Sequence, residues 1–228
     1  MKYSNITKAK FISRPNRFIA MAEVDGNETV CHVKNTGRLK ELLTENAVVY
    51  LEESSNPLRK TKYDLVAAEK DGEIFNIDSQ APNIAAGEYF RKIFPDCKVR
   101  AEVKYGNSRF DFYIEGKDRK IFAEVKGVTL IKGGVALFPD APTDRGVKHI
   151  RELIECRKEG YEAYILFVIQ TQQVNEFSPN DETHRQFGDA LRDAETAGVK
   201  ILAVNCFVRP DKMTINKEIA INLRRKEK

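Results

Sequence analysis

The stretch that decides the fold of the second half of the chain reads Arg109-Phe110-Asp111-Phe112-Tyr113-Ile114, Glu115-Gly116-Lys117-Asp118-Arg119 and Lys120-Ile121-Phe122-Ala123-Glu124-Val125-Lys126. Its two outer runs are rich in Phe, Tyr, Ile and Val, which favour β-strands. The middle run has the glycine and aspartate of a tight turn. The stretch therefore predicts a β-hairpin.

The pairing of this hairpin places charged side chains together on one face. We expect the turn to be centred between Lys117 and Asp118. Asp111 then lies opposite Glu124, with their Cβ atoms ~5 Å apart. Lys126 joins the same face, because side chains alternate along a strand. Two like charges opposite each other destabilise a sheet, so the pair calls for a compensating cation.

Two kinds of cation could compensate the pair, and the residues alone leave the choice open. One is a neighbouring lysine or arginine. The other is Mg²⁺ or Mn²⁺, since Mg²⁺ takes oxygen ligands, typically one or two carboxylates with water and substrate phosphate. In the second interpretation Asp111 and Glu124 are metal ligands. Lys126 then stabilises developing phosphate charge or helps to position the attacking water.

A glutamate outside the hairpin could complete this site. Ala81–Phe94 is predicted to form a helix, with one proline in its first turn and another just beyond its end. Glu88 lies one turn after Ile84, on what we expect to be the apolar side of the helix. From there it could reach the acidic pair as a catalytic or metal-orienting acid. The alternative is an ordinary ion pair with Arg91 or Lys92.

Size and composition narrow the class of protein. The 228 residues, 42% of them hydrophobic, suffice for one large domain or two modest ones. No apolar run approaches the ~20 residues that span a bilayer, and the N-terminal residues lack the apolar core of a signal peptide. We therefore expect a cytoplasmic protein with no membrane partner. The four cysteines show no C-x-x-C pair, which argues against a zinc or redox motif.

The chain divides into two parts with different patterns. Residues 1–80 contain five or so short strands and one short helix, Gly37–Leu43, which suits a small closed barrel of the OB type. An SH3-like barrel is the alternative. Residues 81–228 begin with a helix and three strands and then alternate helices with apolar strands, which predicts an α/β domain with a mixed sheet. The predicted fold class is thus a two-domain α+β / α/β protein.

Charge gives a moderate indication of a nucleic-acid partner. The net charge is +4, but residues 1–80 hold 12 Lys and Arg against 12 Asp and Glu. Arg145 and Lys148 lie at the start of a predicted helix, Thr143–Glu159, and a helix N-terminus with nearby cations suits phosphate. Cations also lie near aromatic residues in the barrel loops, as on surfaces that bind nucleic acid: Arg14, Arg17, Arg38, Arg59, Lys60 and Lys62. The alternatives are core aromatics and a solvated basic helix face.

Five segments follow one another in order along most of the chain: His32–Arg38, Asn56–Tyr63, Ser108–Phe112, Glu124–Leu130 and Phe138–His149. Together they resemble the sugar fermentation stimulation protein A family. The resemblance implies an OB-like domain, residues 1–80, joined to a PD-(D/E)XK nuclease-like domain, residues 81–228. On the pattern of that nuclease superfamily, Asp111 and Glu124 would bind Mg²⁺ or Mn²⁺, Lys126 would be the catalytic lysine, and Glu88 would be the helix-borne acid.

The resemblance also implies DNA binding without sequence specificity and a regulatory role in sugar metabolism. Two positions depart from the family pattern, Lys34 in place of a usual proline and Gly127 in place of a usual serine. Two hypotheses of different class follow. The protein is a Mg²⁺-dependent DNA nuclease, or it is a non-catalytic DNA-binding regulator of sugar metabolism genes. Binding of RNA or single strands by the barrel is a third.

Overall fold

A computed structural model describes residues 1–106 and 108–225. Six strands form its N-terminal domain: β1 (Ile6–Asn16), β2 (Ile19–Val24), β3 (Asn27–Val33), β4 (Val48–Glu53), β5 (Tyr63–Lys70) and β6 (Glu73–Asn76). β1 pairs with β2 and β4, β2 pairs with β3, and β4 pairs with β5. Parallel pairing of β3 with β5 closes the ring. The closed barrel thus consists of the five strands β1 to β5, and it is the predicted OB-like fold.

The prediction of a short helix at Gly37–Leu43 is wrong. Asn35 Oδ1 accepts a hydrogen bond from the Gly37 amide at 2.7 Å, and Leu39 has a φ of 51°. A right-handed helix excludes that φ. A single turn forms instead, in which the Leu42 amide donates to the Leu39 carbonyl. The segment still buries its leucines in the barrel core, so its apolar residues serve packing without forming a helix.

The C-terminal domain contains three helices and ten strands within the described ranges. In chain order they are α1 (Ala81–Ile93), β7 (Lys98–Tyr105), β8 (Ser108–Glu115), β9 (Lys120–Val128), β10 (Ile131–Lys132), β11 (Val135–Phe138), α2 (Asp144–Lys158), β12 (Glu162–Ile169), β13 (Glu176–Pro179), α3 (Asp181–Thr196), β14 (Lys200–Arg209), β15 (Lys212–Glu218) and β16 (Ala220–Ile221). None of the helices among the described residues is long and apolar enough to cross a bilayer.

A mixed six-stranded sheet lies at the centre of this domain. Its order is β15-β14-β12-β9-β8-β7, with β14, β12 and β9 parallel and the remaining pairs antiparallel. α1 covers one face, where the rings of Phe90 and Phe112 lie 5.4 Å apart between centroids. α2 and α3 cover the other face, around Phe167 and Phe187. The predicted mixed α/β domain is confirmed.

A second, smaller sheet was not predicted. Its order is β10-β11-β13-β16, and residues from it, such as Ala136 and Phe177, join the core beneath α2 and α3. β10 and β16 have two residues each, and β11 and β13 have four. Strands this short show no alternation that a sequence pattern could detect.

Gln170 connects the two domains at the end of β12. Its Nε2 donates to the carbonyl and the side-chain oxygen of Asn76, each at 3.0 Å, and to the Asp78 carbonyl at 3.2 Å. The Asn76 amide donates in return to the Gln170 carbonyl at 3.0 Å. All three residues are buried. Because buried polar groups need partners, these bonds hold the end of β12 against the end of the barrel.

Candidate active site

β8 and β9 form the predicted hairpin in the predicted register. The last pair of the backbone ladder toward its open end is Phe112 with Ala123. Beyond that pair, the Val125 amide donates to Asp111 Oδ2 at 2.8 Å. The other oxygen of Asp111 accepts a hydrogen bond from Asn83 Nδ2, in the first turn of α1, at 2.9 Å. Asp111 is therefore held by both the sheet and α1.

Glu124 is the buried acid of the site. Lys126 Nζ donates to Glu124 Oε1 at 2.6 Å, and His149 of α2 hydrogen-bonds the same oxygen. Glu124 Oε2 is buried and has no hydrogen-bond partner among the residues that the structure describes. A buried anionic oxygen without a donor is costly. A bound cation would satisfy it.

Electrostatics distinguish the two carboxylates. Burial, and then the nearby charge of Glu124, raises the pKa of Asp111. Burial also acts to raise the pKa of Glu124, but the hydrogen bond from His149 and the charge of Lys126 outweigh it, so that this pKa is lowered. The charge on Glu124 thus opposes ionisation of Asp111. A cation close to both carboxylates would favour the ionised form of each.

The donor set suits a hard divalent cation. No group of three or more His, Cys, Asp or Glu side chains in residues 1–106 and 108–225 is arranged to hold a metal, so a closed zinc site does not form there. Two carboxylates, one with an unpartnered buried oxygen, match the habit of Mg²⁺, which uses one or two carboxylates and keeps several waters. Asp111 and Glu124 are the residues that could hold such an ion.

His149 is a site residue that the sequence pattern did not identify. Its ring lies edge-on to Phe110, and Arg145 Nε donates to His149 Nε2 at 3.4 Å. Because arginine can only donate, Nδ1 of His149 carries the proton and donates to Glu124. His149 is 25 positions from Glu124, so only the packing of α2 on the sheet brings them together. In the sequence, its position in the first turns of the predicted helix, beside Lys148, is the feature that could have indicated a role for His149.

Glu88 does not join the acidic pair, which corrects the expectation from the sequence. The first turn of α1 reaches Asp111 through Asn83, but the rest of α1 packs on the sheet face of Phe112 and Val125. Glu124 contacts α2 on the opposite face. Ile84, expected to mark the apolar side of α1, is 43% exposed. The Glu88 carboxylate accepts instead from the amino group of Met1 at 3.0 Å. Any catalytic role of Glu88 stays a prediction.

The N-terminus of α2 presents cations next to this site. Thr143 Oγ1 accepts a hydrogen bond from the Gly146 amide at 3.1 Å and caps the helix as predicted. Arg145 and Lys148 lie in the following turns and are exposed. Lys148 Nζ, on an exposed side chain, is 3.7 Å from a carboxylate oxygen of the half-buried Glu152. Both cations are available to a phosphate backbone.

The six cations predicted in the barrel fall into two groups. Arg14 donates to four backbone carbonyls, among them those of Gly37 and Asn35, so its guanidinium is already used within the fold. Arg59 forms a two-bond fork with Asp64, at 2.7 and 2.8 Å. The other four are exposed: Arg17, Arg38, Lys60 and Lys62. Of the six predicted cations, these four are presented to solvent.

Asp64 is the buried centre of an ionic cluster on the barrel wall. Besides the Arg59 fork, its carboxylate contacts His32 Nδ1 at 3.0 Å and Lys34 Nζ at 3.5 Å. Lys34 also lies 3.4 Å from the carboxylate of Asp78, near the domain junction. Burial raises the pKa of Asp64, but its hydrogen bonds from Arg59 and His32 and the charge of Lys34 outweigh this and lower it to about 2.

Two family models match the chain. The model described as "Sugar fermentation stimulation protein RE domain" matches residues 80–212, and that described as "SfsA N-terminal OB domain" matches residues 12–77. The chain belongs to the sugar fermentation stimulation protein family. The first model covers the β8–β9 hairpin and α2, so the acidic pair, Lys126 and His149 all lie inside the matched region.

Relatives in this family match along nearly the whole chain. A sugar fermentation stimulation protein homolog of Clostridium beijerinckii is 55% identical over 98% of this chain and 100% of its own length. A homolog of Desulfitobacterium hafniense is 52% identical over 98% of this chain and 99% of its own length. A solved structure of Pyrococcus furiosus SfsA in complex with Ca²⁺ has a TM-score of 0.88 at 29% identity, covering 97% of this chain and 98% of that one.

The departure from the family pattern at Gly127 has a steric basis in this chain. A Cβ at Gly127 would lie 2.6 Å from Gln170 Oε1 and 2.7 Å from Cγ of Pro82. Contacts this short require one of the neighbours to move. Glycine therefore lets β9 pass close to both the domain junction and the start of α1, directly after Lys126.

Proposed function

We propose that this protein is a divalent-metal-dependent phosphodiesterase that cleaves DNA in the cytoplasm, with Mg²⁺ or Mn²⁺ as its metal. The observation that carries the proposal is the buried, unpartnered Oε2 of Glu124, with Asp111 near enough for the charge of Glu124 to raise its pKa. The Ca²⁺ in the Pyrococcus furiosus relative supports it, because Ca²⁺ and Mg²⁺ are both hard cations that take oxygen ligands.

Each residue of the site has a distinct role in this proposal. Asp111 and Glu124 hold the metal. When bound, the metal would polarise the phosphoryl oxygen and lower the pKa of a bound water. Lys126, at 2.6 Å from Glu124, stabilises negative charge that develops on the phosphate. His149 orients Glu124 through its Nδ1–H, as an outer partner does for a metal-ligating carboxylate.

DNA binding in this proposal is electrostatic and independent of sequence. Arg145 and Lys148 at the start of α2 contact phosphates near the site, and exposed barrel cations extend the surface: Arg17, Arg38, Lys60 and Lys62. Phosphate contacts fix position on DNA without reading its sequence.

Cleavage assays test the enzymatic function directly. Supercoiled, linear, branched and single-stranded DNA are incubated with Mg²⁺ or Mn²⁺. We expect cleavage by the natural protein and none by an Asp111→Ala variant, which loses one of the two metal-holding carboxylates. Equal cleavage by both proteins, or by neither, contradicts the proposal. A Glu88→Ala variant in the same assay decides the role predicted for that residue.

His149 gives a second prediction for the same reaction. We expect His149→Ala to lower the cleavage rate about 10- to 100-fold, because partners of metal ligands have effects of this size. His149→Gln keeps an N–H donor and should restore part of the rate. The rate is measured as a function of Mn²⁺ concentration. An unchanged rate and unchanged metal dependence in His149→Ala would show that the ring does not position Glu124.

A non-catalytic DNA-binding regulator of sugar metabolism genes is the second candidate. It is favoured by two contacts that Glu124 makes without a metal: Lys126 partly neutralises its charge, and His149 hydrogen-bonds it. Binding through phosphates releases counterions, so the affinity for DNA should fall steeply with salt. Salt-dependent binding combined with no cleavage under any metal would support this candidate over the nuclease.

A further inference from the structure

A cavity of about 380 Å³ lies between the barrel and the α/β domain. Its walls come from 35–39 of the barrel, from 127–130 at the end of β9, from 137–143 before α2, and from Gln170. Gly127, which lines it, directly follows Lys126. The cavity also lies beyond the carboxyl ends of the parallel strands β9 and β12, where open α/β sheets bind ligands. The strand that carries Glu124 and Lys126 therefore ends at the wall of this cavity.

The size of the cavity suits a single nucleotide. Its volume lies at the lower end of the range for small-molecule sites, about 300–1,000 Å³. A sphere of this volume is about 9 Å across. One base with its sugar fits such a space, and two paired strands do not.

The lining suits a nucleotide. Leu130, Leu137 and Pro142 give apolar walls for the faces of a base. Asp140 supplies a carboxylate that can accept from a ring N–H or an exocyclic amine of a base, and exposed Arg38 supplies a cation for a phosphate. The Asp140 carboxylate lies 3.3 Å from the position of a Cβ at Gly37, so the two domains approach closely where they enclose the cavity.

We propose that this cavity binds one unpaired nucleotide of a DNA strand, next to the phosphate held at the Asp111–Glu124 site. The substrate class is then single-stranded DNA or a frayed end, since an enzyme cannot take a stacked, paired base into such a pocket. The link to a cleaved phosphate rests on the proposed nuclease function. Occupation of the cavity by an unpaired nucleotide is independent of that function.

Binding without metal tests the cavity separately from catalysis. A fluorescent octathymidylate and a blunt hairpin duplex are titrated with the full-length protein in EDTA. Thr36→Trp narrows the cavity, because Thr36 lines it and is exposed. Thr44→Trp is the matched control, an exposed threonine of the same β3–β4 connection outside the lining. We expect Thr36→Trp alone to weaken octathymidylate binding about tenfold or more, the scale of one lost base contact.

A second pair of variants protects the test against a folding defect in Thr36→Trp. Arg38→Ala should weaken octathymidylate binding, and Lys40→Ala, an exposed cation nearby that does not line the cavity, should not. Equal binding by Thr36→Trp and Thr44→Trp, or an equal loss for duplex and single strand, overturns the inference. If Asp111→Ala binds the octamer normally while the natural protein cleaves nothing, the nuclease proposal fails and the cavity assignment stands.

Discussion

Glu124→Gln is expected to abolish metal-dependent cleavage, with a fall in rate of about a thousandfold or more. The change keeps the size of the side chain but removes the charge that would hold the metal. Charge stabilisation by a bound metal is worth several kcal/mol in the transition state, and ~4 kcal/mol corresponds to about three powers of ten in rate. The same change removes the anionic partner of Lys126.

Two measurements check this expectation. Single-turnover cleavage rates give the effect on reaction, and Mn²⁺ titration followed by electron paramagnetic resonance gives the effect on metal binding. Glu155→Gln is the matched control, the same chemical change on the exposed side of α2. Retained cleavage in Glu124→Gln, with the control also active, would place the reaction centre elsewhere. Loss of Mn²⁺ binding alone would assign the metal site without assigning catalysis.

Asp64→Asn is expected to destabilise the protein by about 2–3 kcal/mol at neutral pH. Asp64 is buried, and its pKa in the folded protein is about 2, against ~3.9 in an unfolded chain. One pKa unit corresponds to ~1.36 kcal/mol. Because the folded pKa is the lower one, the contribution is present above about pH 4. It is lost as the pH falls toward 2.

The difference between the natural protein and Asp64→Asn should therefore shrink between pH 4 and pH 2. Urea unfolding at a series of pH values measures it as a difference in the free energy of unfolding. Asp25→Asn, at an exposed turn between β2 and β3, is the matched control and should show no such pH dependence. A constant difference from pH 7 to pH 2 would mean that the Asp64 charge does not stabilise the fold.

The hairpin could be predicted from sequence because its determinants are local. The turn residues and the alternation along β8 and β9 fix the register, and the observed pairing of Phe112 with Ala123 follows from them. The closed barrel was predictable for the same reason, since its strands are short and separated by clear turns. The segment at 37–43 shows the limit, because packing in the barrel core overrides its helical pattern.

The remaining errors arise from long-range packing. Whether α1 or α2 faces Glu124 depends on which side of the sheet each helix covers. Helical periodicity says nothing about this, so Glu88 was expected at the site and His149 was not. Arg14 and Arg59 were expected on the surface, because the carbonyls and the carboxylate that bind them lie far away in sequence or across a turn. A pattern of cations predicts where charge lies along the chain. It does not predict which of these side chains are held by hydrogen bonds within the fold.

The bonds made by Gln170 bear on how this protein can be divided. The buried carbonyls of Asn76 and Asp78 at the end of the barrel accept hydrogen bonds from the Gln170 side chain, and the Gln170 carbonyl accepts one from the Asn76 amide. Each half expressed alone would lose the partners that the other contributes and would present unpaired polar groups at the cut surface. Neither domain can therefore be exchanged alone for an unrelated one. A chimeric protein would have to keep Gln170 together with the residues of the barrel that it contacts.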